Sequence, residues 1–230
     1  MFATVETYSL DRRGRRCAPL DGRARMARRA EARTGGRAGA WQWSRTAHTR
    51  RVLLESAREV FAENGFADAA VADMVERAGS SVGSLYHHFG GKTELFLALW
   101  ENQQAADEEQ AAGAVAQARA DGEQDPLELF VAGARAFLDG SWQRRDVSLL
   151  LLTGDGPPGF DALRRRRSRE WVRRNSVLLQ AGDSALERLT VSVLTAIIGE
   201  ARREIVAADS RGEADRLIEA AVGLIRRLGR

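Results

Sequence analysis

Apolar residues along most of this chain recur every three or four positions, the spacing of a helix with one buried face. Leu53, Leu54, Ala57, Val60 and Phe61 predict a helix that begins near Ser44. Asn64-Gly65 should end it, since both residues tolerate the left-handed conformation of a C-cap. Val71, Met74 and Val75 mark a second, short helix that stops at Gly79. Ser81 can cap a third, reaching about His88. Gly90-Gly91 breaks the chain before a long helix from Lys92 to about Arg119. After a linker at 121–125, Pro126 suits a helix first turn, and the pattern continues to Gly140. Val147 to Leu152 is wholly apolar and too short to fix a period, but its surroundings favour helix. Gly154 to Gly159 reads as a loop, and a long helix follows from about Phe160 to Gln180.

Two Ser-x-x-Glu capping boxes, Ser184 with Glu187 and Ser210 with Glu213, open helices at about 184–206 and 211–228. The first carries Leu186, Leu189, Val193, Leu194, Ile197, Ile198 and Ile205; the second carries Leu217, Ile218, Ala221, Leu224, Ile225 and Leu228. Strand-type alternation is nearly absent, so the pattern predicts an all-α fold of about nine helices.

Charge changes the picture at one end. The chain has 230 residues and a net charge of +3. Residues 1–44 hold ten arginines against four acids (Glu6, Asp11, Asp21, Glu31), a balance of +6 that leaves −3 for the remainder. With no apolar periodicity, residues 1–43 are expected to form a disordered arm. It reads first as a solvated tail; tracking phosphates or entering a minor groove is the sharper alternative. Met26 offers an alternative start, and Trp41 and Trp43 are expected to pack on the first helix. Lys92 is the only lysine. One cysteine, Cys17, excludes a disulfide framework and Cys-based zinc sites. No apolar run approaches a membrane span, and a reducing cytoplasm is the expected compartment.

Two catalytic strings fail on context. Gly79-Ser80-Ser81-Val82-Gly83 matches the G-x-S-x-G elbow of serine hydrolases, but that motif needs a strand before the serine, and here a helix precedes it. Gly154-Asp155-Gly156-Pro157-Pro158-Gly159 matches G-x-G-x-x-G, yet each proline deletes an N–H donor that a phosphate cradle needs, so it reads as a turn. His87 and His88 are adjacent, about 100° apart on a helix, and cannot form an i, i+4 metal pair. No catalytic or metal residues and no cofactor are assigned. A hydrolase using Ser81 and a helical scaffold without DNA affinity stay as the rival classes.

The stretch from Ala78 to Leu95 is the most informative. It reads as a helix end, a glycine turn, a short helix with small residues in front and Tyr-His-His behind, a Gly-Gly break and a new helix. That is the layout of a helix-turn-helix. The motifs Arg51-x-x-Leu54-x-x-Ala57-x-x-x-Phe61-x-x-x-Gly65-Phe66, Asp73-Met74-x-x-x-Ala78-Gly79, Gly83-x-Leu85-Tyr86-x-x-Phe89 and Lys92-x-x-Leu95 resemble the DNA-binding domain of the TetR family of transcriptional regulators. The resemblance covers about fifty residues, from Thr49 to Leu99. Ala70, in place of a capping Ser or Thr, and Ser80, in place of an apolar residue, depart from it.

Gly79 permits the turn, and Gly83 allows close approach to base edges. Ser81, Val82, Gly83 and Ser84 occupy the half of the helix that reaches bases; Val82 suits a thymine methyl. Leu85 and Phe89 take the core side. The resemblance implies that Tyr86 and at least one of His87 and His88 bond phosphates. Taken singly, either histidine reads as solvated surface; at this spacing with Gly83, Tyr86 and Lys92, phosphate contact is favoured. Lys92, at a helix N-terminus, is assigned to a phosphate, and Arg45, Thr49 and Arg50 to the backbone from the first helix.

The chain is thus identified as a member of that family, with residues 44–91 as the DNA-binding domain and 92–230 as a helical ligand-binding and dimerisation domain. The implied partners are a palindromic double-stranded DNA operator, a small-molecule effector and a second copy docked through the last two helices. Candidate effector contacts are Phe96, Trp100, Phe137, Trp142, Trp171 and Asn175, with Phe130 beside them and Thr195 or Glu200 as polar anchors. The Arg164–Arg167 run reads as a solvated face, an acidic ligand being the sharper reading.

Overall fold

A computed structural model describes residues 46–153 and 155–230. The chain divides into two units, 1–49 and 50–230, and the account below concerns the second. Arg45, Trp41, Trp43 and the rest of the arginine-rich arm lie outside the described residues, and Thr49 belongs to the first unit.

Nine helices make up the described residues, with no strand among them. They are α1 (46–68), α2 (Val71–Arg77), α3 (Val82–Phe89), α4 (Lys92–Ala120), α5 (Pro126–Gln143), α6 (Arg145–Thr153), α7 (Phe160–Leu178), α8 (Ala185–Ala207) and α9 (Arg211–Leu228). The all-α expectation holds, and the ambiguous segment at 147–152 is helical, inside α6.

One boundary differs from expectation. Gly65 has the positive φ of +73° that a C-cap wants, but a further helical turn continues through residue 68. Its first amides have an unusual acceptor. Phe66 N and Ala67 N each donate to the Asp155 carboxylate, at 2.8 Å to Oδ1 and 2.8 Å to Oδ2. Gly65 also makes room for that carboxylate: a Cβ there would lie 2.9 Å from Oδ1.

Caps account for most other ends. Asp125 accepts from Leu127 N at 2.9 Å with Pro126 in the first turn of α5. Ser184 and Glu187 form a complete capping box on α8. The second box is only half formed: Ser210 accepts from Glu213 N, but the Glu213 carboxylate turns to Asp209 N at 3.1 Å. Glu187 is held below the usual glutamate range by Ser184 and by the amides of Gly182 and Ser184. At the end of α6, Arg164 donates to the carbonyls of Leu151 and Leu152 at 3.2 and 3.1 Å.

Three apolar clusters form the interior. The first joins α1, α2 and α3 to the start of α4, to α6 and to Phe160 of α7. Its aromatic part is continuous. Phe61 and Phe66 both meet Phe96, at ring-centre distances of 5.3 and 5.2 Å; Phe96 meets Phe160 at 5.1 Å, and Phe160 meets Trp100 at 5.6 Å. All four contacts are edge-on, the preferred geometry for such pairs. The second and third clusters pack α5 against α8 and α9.

Candidate functional site

The helix-turn-helix is fixed by short-range bonds that follow from its sequence. After α2 the chain turns at Gly79 (φ +57°), with Gly79 N donating to Glu76 O and Ser80 N to Val75 O, the double bond of a Schellman turn. Ser81 then caps α3, its hydroxyl accepting from Ser84 N at 3.2 Å. Gly90 (φ +93°) closes α3 through a bond from its N–H to Tyr86 O. Ala70 provides no side-chain cap for α2. Instead Arg77 at the far end of α2 grips Glu63 of α1 with both η nitrogens, at 2.7 and 2.8 Å, and holds that carboxylate below its ordinary range.

The two faces of α3 separate cleanly. Leu85 is fully buried with Phe61, Met74 and Val75, and Phe89 packs against the same cluster. On the other face Val82 is 47% exposed and Tyr86 53% exposed, beside the exposed Gly83 and His87. A Cβ on Gly83 would meet nothing within 4 Å, so no residue of this chain requires a glycine there. Ser81 and Ser84 flank this surface, the Ser81 hydroxyl already engaged in its cap. His87 and His88 lie edge to face, 5.2 Å apart, at the end of α3. The Arg50 guanidinium covers the Phe89 ring at 4.8 Å, which joins the start of α1 to the end of α3 and leaves its in-plane N–H groups out of that contact.

Lys92 has a role the sequence did not suggest. Its ammonium donates to Ala67 O and Ala69 O, both at 2.9 Å, and sits 4.8 Å above the Phe66 ring. Two of its three donors therefore fasten the α1–α2 connection. The Asp155 carboxylate holds the amides of the same turn from the opposite side of the charge scale. The amides of Phe66 and Ala67, with a contribution from the Lys92 charge, keep Asp155 below the ordinary carboxylate range. What read as a plain turn between α6 and α7 is thus tied to the connection that precedes α2.

A cavity of about 760 Å³ opens between α4, α5, α6, α7 and α8. Trp100, Phe137, Trp171 and Asn175 line it, together with Phe130 and Thr195. Asn175 Nδ2 donates to Thr195 Oγ1 at 3.0 Å. Three expectations need correction. Phe96 is fully buried in the first apolar cluster and is absent from the cavity wall. Trp142 packs in the third cluster under the Arg145 guanidinium, 4.7 Å away. The α5 wall is made by Phe130, Gly133, Ala134 and Phe137, one helical face, and Trp142 lies five residues beyond Phe137, about 140° around the helix. Glu200 is exposed and paired with Arg203 instead of anchoring a ligand.

The Arg164–Arg167 run is also not a plain solvated face. Arg164, Arg165 and Arg167 line the cavity, and only Arg166 is left to an exposed pair with Glu170. Behind the wall lies a buried polar network that sequence reasoning missed. Asp107, fully buried on α4, receives Gln103 at 2.9 Å, Arg144 at 2.8 Å and the Arg202 guanidinium at 3.2 Å. Arg202 also reaches Ser148 Oγ at 3.2 Å and lies over the Phe137 ring at 5.1 Å. Gly140 makes space for this network, since a Cβ there would overlap the Gln110 carboxamide and the Arg144 guanidinium. Burial pulls the Arg202 pKa down, Asp107 opposes that, and Arg144 adds to it.

A short exposed helix over a glycine turn, with its inner residues locked into a three-helix core, is the geometry of a DNA-reading element. Residues 53–99 match the family model described as bacterial regulatory proteins, tetR family. That segment is a tetR-type DNA-binding domain. The repressor AcnR of Corynebacterium efficiens is 48% identical over 52 residues, 23% of this chain and 28% of that protein. The regulator BetI 1 of Chromohalobacter salexigens is 35% identical over 104 residues, 43% of this chain and 45% of that protein. The match therefore spans less than half the length of these curated relatives, and the rest of the likeness is one of fold. A TetR-like regulator from Rhodococcus sp. RHA1 superposes with a TM-score of 0.61 at 19% identity, over 79% of this chain and 93% of that one. A SmeT–triclosan complex superposes with a TM-score of 0.62 at 17% identity, over 78% and 90%. The hydrolase alternative finds no support: Ser81 stands between two helices, not after a strand.

Proposed function

We propose that this chain is a homodimeric transcriptional repressor of the cytoplasm that leaves a palindromic operator when a small molecule enters the cavity. The observation that carries the reading is the outward face of α3, where Val82, Gly83 and Tyr86 stand clear of the chain's own core. Val82 and Ser84, beside Gly83, read base edges, while Tyr86, His87, His88 and Arg50 contact phosphates. One free donor on Lys92 is available for the same backbone. Regulation by binding, not catalysis, fits relatives named as transcriptional repressors and regulators.

A single such helix contacts too few phosphates for useful specificity, so a second copy supplies the other half-site, about 34–36 Å away. The docking face is α8 with α9. Leu186, Leu189, Val193, Leu224 and Leu228 are all exposed there, and Leu186 is 73% exposed. A large apolar patch of this kind marks an interaction surface. No helix among the described residues is long and apolar enough to cross a membrane.

Within the expected 44–91 DNA-binding domain, residues 50–91 serve as the reading head, and 92–230 serve as sensor and dimer body. Effector entry favours a state with another half-site spacing, and DNA affinity falls by the coupling energy, typically about 1–3 kcal/mol. The SmeT–triclosan complex shows a protein of this fold holding a small molecule. The direct test is a gel shift with the intact protein on DNA upstream of its own gene. A retarded band that survives competitor DNA at moderate salt is expected; uniform binding to all sequences would reject the reading.

A further inference from the structure

The cavity that the proposed repressor would use as its sensor has an unbalanced charge. Seven arginines line it (Arg119, Arg164, Arg165, Arg167, Arg174, Arg202 and Arg203) against two carboxylates, Glu108 and Asp161. Ion pairing does not remove the excess. Glu108 is shared by Arg167 and by Arg174, the latter at 2.7 Å. Asp107, just behind the wall, is shared by Arg144 and Arg202. Glu108 and Asp107 therefore each answer two guanidiniums; Arg164 pairs with Asp161 and Arg203 with Glu200, while Arg167 also reaches Glu170. All of these guanidiniums remain cationic.

The deepest of these cations is incompletely satisfied. Arg202 is 8% exposed. Its Nε has no hydrogen-bond acceptor among the described residues, nor has that of Arg167. Its contact to Asp107 Oδ2 is an ion pair at 3.2 Å without the alignment of a hydrogen bond. A guanidinium withdrawn from water with half a counter-charge is costly, and a second anion relieves it. Beside it the wall is apolar and aromatic: Arg202 lies over Phe137, and Phe137 meets Trp171 edge-on at 5.6 Å.

We propose that the effector is an amphipathic anion, with a ring-bearing apolar body against Trp171 and Phe137 and one oxyacid group directed at Arg202. This rests on the cavity being the sensor. A neutral molecule of the same shape would seal the arginines further from water with no counter-charge, and a cation would add repulsion. Charge thus selects among ligands that the aromatic wall alone would accept.

The test uses two fluorescent probes with one shared body, 8-anilinonaphthalene-1-sulfonate and the uncharged N-phenyl-1-naphthylamine, titrated into the full chain. The sulfonate should bind at least about tenfold tighter, the discrimination expected of a charge-assisted contact. Arg202→Met should bring the two probes close to parity, and Arg202→Lys should keep most of the preference. Where Arg202→Met does not fold, the paired change Arg119→Gln and Arg165→Gln decides in its place. Both arginines are exposed on the wall, and their loss should reduce the sulfonate preference. Equal affinity of the wild type for both probes overturns the proposal, as does an undiminished preference in the folded variants. Operator binding is measured on the same samples. Its absence with the sulfonate preference intact counts against the repressor reading alone.

Discussion

Phe160 gives the sharpest test of how the reading head is joined to the sensor. It is the first residue of α7 and 5% exposed, with Phe96 on one edge and the cavity-lining Trp100 on the other. The Arg164 guanidinium covers its ring at 5.6 Å. Phe160→Leu keeps an apolar side chain of similar reach, so most of the buried area is retained. What it removes is two edge-on aromatic pairs, worth roughly 0.5–1.5 kcal/mol each beyond area. The cation–ring contact, half exposed to water, adds about 0.5 kcal/mol. The expected loss is about 2.5 kcal/mol, which for a chain of this length lowers Tm by about 5–10 °C. Thermal melting followed by circular dichroism measures it. A second readout is the affinity for operator with and without effector, by fluorescence anisotropy. If the ring joins Trp100 to Phe96, the effector-induced drop in affinity should shrink in the variant while its effector affinity stays close to wild type. A melt within about 1 °C of wild type would refute the energetic reasoning. An unchanged effector response would refute the role of Phe160 in coupling.

Gly83→Ala should raise stability by up to about 1 kcal/mol, because a helical glycine is replaced where its Cβ meets nothing, yet weaken operator binding at least about tenfold. Melting and anisotropy on one sample check both signs; unchanged DNA affinity would show that bases do not approach this residue closely. Lys92→Met should cost about 1–2 kcal/mol through the two orphaned carbonyls of the α1–α2 connection, read from a urea midpoint. A purely electrostatic Lys92 would instead flatten the salt dependence of DNA binding and leave the midpoint alone. Asp155 has a folded pKa below the unfolded value of about 3.9, so its contribution is present above that value and lost as pH falls through the lowered folded pKa. Comparing denaturant midpoints at about pH 5 and about pH 3, the acid-induced loss should be smaller in Asp155→Asn than in wild type; equal losses would count against the bond to Phe66 and Ala67.

The parts of the molecule that were legible in the sequence are those fixed by neighbours in the chain. Gly79, Ser81, Leu85 and Gly90 act within one or two helical turns, so their spacing alone specifies the turn, the cap, the core contact and the helix end. The bond from Asp155 to Phe66 crosses 89 positions, and the pairing of Arg202 with Asp107 and Ser148 spans three helices. No local period carries such information. The aromatic residues failed for a different reason. Phe96 and Trp100 stand one turn apart on the same face of α4, so periodicity does not tell which ring meets the core and which the cavity, while Trp142 lies about 140° around α5 from Phe137, on the side of the third cluster. The carbonyl contacts of Lys92 are not legible in the sequence because a cation at a helix start has two sources of partner, a ligand ahead or carbonyls behind, and Ala67 and Ala69 lie 25 and 23 positions away.

The open space around Gly83 bears on how such a protein changes its target. The fold anchors α3 through Leu85 and Phe89, while the outward residues Val82 and Gly83 make no demand on the interior. On the proposed reading, substitutions on that strip would alter what the helix can read without a folding penalty to offset. On the proposed function, a duplicated copy of this chain could therefore drift to a new binding sequence one residue at a time, each intermediate remaining folded and keeping its cavity. Address and signal would evolve separately.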